Sequence, residues 1–185
     1  MEKNLFRQTY APELVSDQLI LKLNGIDFPD SFIGILRSTE QSAFAFKRLY
    51  KEEHLEEIQL LKFIQVVLRN TSKQLGICPD VIKYSFDDIW LQKNKAILLA
   101  ILVEGLLAEI SKDYIFAQEP RIEIQCRFLF GKLEFGYLTD SVISPEEKIL
   151  SSRSQRLIET VVKMLPAKIN YRSSNEFGFD LTFKS

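Results

Sequence analysis

The segment RIEIQCRFLFGKLEFGYLTD, residues 121–140, decides the fold because apolar side chains fall at every second position on both sides of a glycine. This alternation is typical of strands with one buried face, and Gly131-Lys132 supplies a short connection between the two runs. The segment therefore predicts an antiparallel β-hairpin. The side chains expected to point inward are Ile122, Ile124, Cys126, Phe128, Leu133, Phe135 and Tyr137.

The residues on either side of this hairpin alternate between helical and strand patterns. Helix periodicity predicts helices over residues 55–75, 92–115 and 151–165, with Gly76 ending the first and Asp87-Asp88 introducing the second. Alternation predicts strands over residues 81–86, 168–173 and 177–183. Helices grouped against a mixed sheet give an α+β fold, a two-layer α/β sandwich with the helices on one face. The aromatic residues, fourteen phenylalanines among them, are expected mostly in the core.

The N-terminal third has a different, purely helical pattern. Residues 11–24 and 31–50 each show helix periodicity, Gly25 is a plausible end of the first helix and Asp30 a plausible cap of the second. Two helices with a short connection predict an antiparallel helical hairpin. The charged run Lys51-Glu52-Glu53-His54 is the predicted boundary, which divides the chain into a hairpin at residues 1–54 and a sandwich at residues 55–185.

Composition argues against several functional classes. The chain has 24 basic and 25 acidic residues without a long basic stretch, so nucleic-acid binding is not expected. Cys78 and Cys126 lie far apart, without zinc-site spacing or the density of a disulfide scaffold. Residues 1–10 are polar and carry no apolar signal core, so export is not expected, and the most apolar stretch, residues 96–107, is too short to span a membrane. We expect a cytoplasmic protein with reduced thiols.

Four segments carry a family resemblance. They are residues 43–50 (AFAFKRLY), residues 96–116, residues 133–140, and the helix and strands over residues 157–183. Their order and spacing resemble the ATPase domain shared by gyrase, Hsp90, histidine kinases and MutL, here called the GHKL fold, in its histidine-kinase form. The resemblance covers roughly residues 31–185. It implies a dimerisation hairpin, a helix that carries a metal-binding Asn, and a strand that ends at an adenine-reading Asp.

The chemistry that the resemblance implies is incomplete on the helix. Mg²⁺ must bridge the phosphates during phosphoryl transfer, and the position that matches its Asn ligand is Ala108, which has no ligand atom. Glu104, one turn earlier, matches the acidic position of the family. It could orient a water or a histidine, or it could be an ion-paired residue at the edge of a helix.

The predicted nucleotide pocket is also incomplete. Asp140 matches the adenine-reading Asp, but Ser141-Val142 follows it where the family has Asn-Gly, so Asp140 could equally be an ordinary turn residue. Residues 143–156 contain no glycine, although backbone amides in a phosphate loop must approach the phosphates closely. We therefore predict no cofactor and no tight ATP binding.

A phosphotransfer hairpin would present a histidine on its first helix, because an imidazole nitrogen is the nucleophile. Residues 1–50 contain none, and the single histidine, His54, falls in the connector. His54 is either a solvated surface residue or the acceptor of a phosphotransferase that has lost ATP binding.

Three functional hypotheses follow. The first is a degenerate, non-catalytic kinase-like protein that forms a homodimer and binds the receiver domain of a response regulator or another signalling partner. Its expected dimer or partner surface comprises Phe32, Ile35, Leu36 and Phe46. The second is a phosphotransferase that uses His54. The third is a weak regulatory nucleotide binder that uses Asp140 and Glu104.

Overall fold

The structure is a computed structural model that describes residues 57–113, 121–139, 152–172 and 177–184. The predicted helical hairpin at residues 1–54 lies outside the described residues, so its boundary stays a prediction. In chain order the elements are β1 Glu57–Gln59, α1 Leu60–Leu75, a 3-10 turn Pro79–Val81, β2 Ile82–Phe86, β3 Trp90–Gln92, α2 Lys93–Asp113, β4 Ile122–Leu129, β5 Lys132–Thr139, α3 Ser152–Met164, β6 Lys168–Tyr171 and β7 Phe177–Lys184.

The β-hairpin of residues 121–140 forms the centre of a five-stranded mixed sheet in the order β2-β4-β5-β7-β6. β4 and β5 are antiparallel, with Ile122 opposite Thr139 at one end and Leu129 opposite Lys132 at the other. β2 adds to β4 in parallel, whereas β7 adds to β5 antiparallel. The predicted α+β fold with a mixed sheet is therefore confirmed. The turn lies one residue earlier than expected, at Phe130-Gly131.

Helix α2 is the centre of the helical layer and packs against both α1 and α3. Every residue from Ala96 to Leu107 is buried, because sheet and helices together cover all sides of this segment. A helix that is apolar all round needs such a position in the core. The strands bury one face toward these helices, as in Ile122, Ile124 and Cys126, while their other face is mostly polar. Within the described residues, no helix combines the length and apolar character needed to cross a bilayer.

Helix α1 begins at Leu60, not at residue 55 as the periodicity predicted. Glu57–Gln59 instead pairs antiparallel with Trp90–Gln92 in a separate two-stranded sheet, and the Leu60 amide donates to the Ile89 carbonyl at 2.9 Å. Ile58 is buried in this strand, and a single apolar residue is compatible with both the predicted helix and the observed strand. The other end is as predicted, because Gly76 caps the helix with a left-handed φ of 69°.

Asp87 and Asp88 do not cap α2, which begins at Lys93 after strand β3. The Asp87 carboxylate accepts a hydrogen bond from the Phe128 amide at 2.8 Å, so it closes the end of the β2–β4 ladder. Asp88 accepts a hydrogen bond from the Gln59 side chain at 2.8 Å. Asp87 therefore holds the end of β2 to β4, and Asp88 connects the segment before β3 to β1.

Several aromatic residues expected in the core are exposed. Phe128, predicted to point inward, is 47% exposed, and Phe130 is fully exposed. The alternation of β4 continues past Cys126, but Phe128 lies at the end of the strand where the buried core has ended. The alternation pattern identifies the face of a strand but not how far the opposing layer extends along it.

The turn Phe130-Gly131 provides a test of local strain. Both residues have positive φ, 51° and 73°, which is the type I′ geometry that favours Asn-Gly. Phe130 has the higher conformational energy of an L-residue in the left-handed region, and burial of its ring does not offset this cost. We expect Phe130→Asn to raise Tm by about 2–4 °C, measured by thermal unfolding under circular dichroism. Gly131→Ala, the control, should lower Tm, and a destabilising Phe130→Asn would contradict this description of the turn.

The two cysteines should differ in reactivity. Cys126 is buried in β4, and burial, with the nearby Asp87 carboxylate, raises the pKa of its thiol well above the usual range. Cys78 is exposed and not in a disulfide. Titration of the native protein with a thiol reagent at mildly alkaline pH should therefore label Cys78 quickly and Cys126 only after denaturation, since the thiolate is the reactive form. Rapid labelling of both thiols in the native state would contradict the burial of Cys126.

Candidate functional site

Ala108, which resembles the metal-ligand position, and Thr139, which precedes the predicted adenine-reading Asp140, lie at one end of the domain. Lys95 Nζ, in the first turn of α2, donates to the Lys184 carbonyl at 3.2 Å, and Lys184 is opposite Lys132 at the start of β5. From there α2 rises about 20 Å to Ala108, and β5 rises roughly 23 Å to Thr139. Helix and strand thus bring Ala108 and Thr139 to the same end, opposite the Phe130 turn. Asp140 follows Thr139 but lies outside the described residues.

Glu104 is buried between α1 and α2. Its side chain is 3% exposed, and the Thr71 hydroxyl of α1 donates to its Oε1 at 2.9 Å. Thr71 is itself 4% exposed, so this hydrogen bond is shielded from water. A buried carboxylate is costly without polar partners, and a hydroxyl that donates to it offsets part of that cost. The carboxylate therefore joins two helices in the interior.

Ala108 lies one turn after Glu104 on the same helix and is half-buried. Its methyl group offers no electron pair to a cation, and its backbone carbonyl accepts the Ser111 hydroxyl at 2.9 Å. In the part of the chain that the structure describes, no group of three or more His, Cys, Asp or Glu residues could hold a metal ion. Ala108 therefore offers no side-chain ligand to Mg²⁺ at this position.

The sheet contributes a buried aromatic cluster beneath the same end. Tyr137 stacks on Phe179 with ring centroids 5.7 Å apart and lies 6.4 Å from the Phe177 ring. Burial raises the pKa of the Tyr137 phenol far above its usual range, so the group stays neutral. Thr139, two residues later on the same face, is 2% exposed. Tightly packed aromatic rings therefore underlie the end of β5.

Sequence reasoning missed one member of this region, Thr71, whereas Tyr137 is buried as the alternation predicted. Thr71 occupies the inward stripe of α1, three and four residues after Leu68 and Val67, and that spacing was the available signal. The roles proposed for Glu104 and Asp140 remain predictions. His54 and the expected surface of Phe32, Ile35, Leu36 and Phe46 lie outside the described residues.

Comparison of this architecture with solved structures identifies its fold. The blue-light activated histidine kinase of Erythrobacter litoralis superposes with a TM-score of 0.63 at 16% identity, over 92% of this chain and 59% of that one. The histidine kinase domain from the same protein superposes with a TM-score of 0.56 at 12% identity, over 90% of this chain and 81% of that one.

The chain has the histidine-kinase fold, with a GHKL-like domain. The resemblance inferred from the sequence is confirmed at this level. The sequence matches no protein-family model and no curated protein. This chain spans about three fifths of the first kinase's length, 59%, and at these identities the likeness concerns the fold alone.

The contact between Thr71 and Glu104 can be tested by removing the hydroxyl at constant volume. Thr71→Val should lower the free energy of unfolding by about 1–3 kcal/mol, because it leaves a buried carboxylate without this donor. Thr71→Ser keeps the hydroxyl and serves as the control. In a Glu104→Leu background Thr71→Val should be nearly neutral, a coupling measured by urea unfolding of all four variants. Equal cost in both backgrounds would contradict the hydrogen bond.

Proposed function

We propose that this protein is a catalytically degenerate, histidine-kinase-like signalling protein that acts by binding a partner and not by transferring phosphate from ATP. The single observation that carries the proposal is the pair of residues one turn apart on α2. Ala108 stands at the position that matches the metal ligand, and Glu104 is buried against Thr71. The histidine-kinase-like fold supports a signalling protein of this kind.

The missing ligand bears directly on phosphoryl transfer. Catalysis by this fold depends on positioning and charge neutralisation by Mg²⁺, so a side chain without a donor atom removes the metal's anchor on the helix. Glu104 does not replace it readily. Its Oε1 is already engaged inside the protein, and turning it outward would break a shielded bond to Thr71.

The loop sequence supports the same conclusion. Residues 143–156 lack glycine, so side chains would stand where backbone amides must approach phosphates. Asp140 is followed by Ser141-Val142 instead of Asn-Gly. An adenine-reading carboxylate alone would give at most weak binding, which is the regulatory alternative that uses Asp140 and Glu104.

A partner-binding role draws on the N-terminal segment. We propose that residues 1–54 form a hairpin that makes a homodimer, because two amphipathic hairpins bury their apolar stripes against each other in a four-helix bundle. Phe32, Ile35, Leu36 and Phe46 are the residues proposed for that surface or for docking the receiver domain of a response regulator. A cytoplasmic location is part of this proposal.

Thermal unfolding with and without Mg-ATP tests the proposal. A ligand that binds only the folded state raises apparent stability with the logarithm of its concentration over Kd. We expect no shift of Tm for the wild type at millimolar Mg-ATP. Ala108→Asn, which reinstates the ligand atom, should also show none because the loop remains without glycine. A clear Mg-ATP-dependent rise of the wild-type Tm would overturn the proposal and favour the regulatory nucleotide binder.

The second candidate function is a phosphotransferase that uses His54, favoured by the position of the chain's only histidine at the predicted boundary. It would accept a phosphoryl group from a phosphorylated receiver and pass it on. Incubation with a labelled phospho-receiver separates the two functions. Transfer of label to the wild type that His54→Ala abolishes would establish the phosphotransferase, whereas binding without label transfer supports the scaffold.

A further inference from the structure

The turn between β4 and β5 presents three consecutive large apolar side chains to solvent. Phe128, Leu129 and Phe130 are 47%, 41% and 100% exposed. Single exposed apolar residues are ordinary on protein surfaces, but a contiguous group of them marks a contact site. We call these three residues the hairpin tip.

The backbone at the hairpin tip adds an independent signal. Phe130 has a φ of 51°, a conformation that costs an L-residue energy and that Asn or Gly adopts readily. The Phe130 ring is fully exposed, so its burial does not offset this conformational energy. Residues held in such conformations without internal benefit cluster at ligand contacts. The backbone strain at Phe130 therefore indicates that the hairpin tip makes a contact with a ligand or surface.

Basic side chains flank the hairpin tip. Lys132 is opposite Leu129 on one side and opposite Lys184 on the other, and Arg127 precedes the tip on β4. All three are exposed. The nearby carboxylates are Asp87, which accepts the Phe128 amide, the adjacent Asp88, and Glu134, which lies opposite Arg127. With Lys95, four cations lie beside three carboxylates, so the surroundings of the tip are net positive.

The only tryptophan of the chain lies at the same end. Trp90 is 45% exposed and follows Asp87, which bonds to Phe128, by three residues. Five residues after Trp90, Lys95 contacts the Lys184 carbonyl. Tryptophan and basic residues beside exposed phenylalanines are the composition of surfaces that sit at the boundary between water and lipid.

We propose that the hairpin tip docks the domain onto an anionic membrane surface. Phe130 and Leu129 enter the boundary between headgroups and acyl chains, while Lys132 and Lys184 contact anionic headgroups. A lipid surface fits a tip of this shape, because it accepts a narrow convex projection. A stable protein interface needs roughly 800 Å² from each partner, more than a two-residue turn and its neighbours present.

The proposal is independent of the function proposed above. The hairpin tip lies at the start of β5 and of α2, whereas Ala108 and Thr139 lie at their far ends. Failure of either proposal leaves the other unaffected.

Co-sedimentation of the full chain with vesicles tests the proposal. We expect binding to phosphatidylcholine vesicles that contain phosphatidylserine, much weaker binding to phosphatidylcholine alone, and release at high salt. Phe130→Asn should weaken binding by about tenfold, because it removes the most exposed apolar ring. Lys132→Glu should weaken it by at least about fivefold. Trp90 fluorescence should shift to the blue on binding and be quenched by brominated lipid.

Matched variants separate the tip from general effects. Tyr171→Asn removes an exposed aromatic residue elsewhere, and Lys73→Glu makes the same charge change at the end of α1; neither should change vesicle binding. Phe130→Asn is expected to be more stable than the wild type, so its loss of binding would not reflect unfolding. Absence of vesicle binding, or binding that Phe130→Asn retains, would overturn the proposal. Self-association that Phe130→Asn abolishes would also overturn it and assign the tip to a second copy of the chain.

Discussion

Complete burial of the middle of α2 is the constraint on which the rest of the domain depends. From Ala96 to Leu107 the helix has no face toward water, so the sheet must cover one side and α1 and α3 the others. The order of elements follows from this requirement. Because the helix is apolar all round, removing any of its neighbours would expose a continuous hydrophobic surface.

Glu104 is the only ionisable side chain within that segment, and its environment connects stability with function. A carboxylate in the interior needs partners, and Thr71 donates one hydrogen bond from the adjacent helix. This bond makes Glu104 part of the packing between α1 and α2. In a working kinase of this build the same helix would present polar groups to a metal and to phosphates. In this chain the residue one turn later on that face is Ala108. This part of α2 is therefore suited to packing against its neighbouring helices.

The two ends of the domain carry different chemistry. At one end, Glu104 is buried and Ala108 offers no side-chain ligand atom. At the other end, Phe130 and its neighbours are exposed beside lysines. Helix α2 and strand β5 run between the ends as rigid elements, with about 20 Å from Lys95 to Ala108 and roughly 23 Å from Lys132 to Thr139.

Much of the fold was predictable because its central pattern is regular. The alternation over residues 121–140 and the apolar run of α2 predicted the β4–β5 hairpin and the buried helix. The short strands β1 and β3 were missed because three residues with one buried side chain do not define a period. Phe128 was predicted to be buried, because alternation does not show where the core ends. At the site, the positions of Glu104 and Ala108 on one helix followed from sequence, but the bond from Thr71 needed the packing of two helices.

The central claim is that this kinase-like domain does not bind Mg-ATP. Isothermal titration calorimetry of the full chain with Mg-ATP and Mg-ADP tests it most directly, with light scattering on the same sample for the oligomeric state. The account predicts a dimer that gives no binding heat beyond dilution. Saturable binding at micromolar affinity would contradict it, because a functional phosphate site would then have to exist despite Ala108 and the loop without glycine.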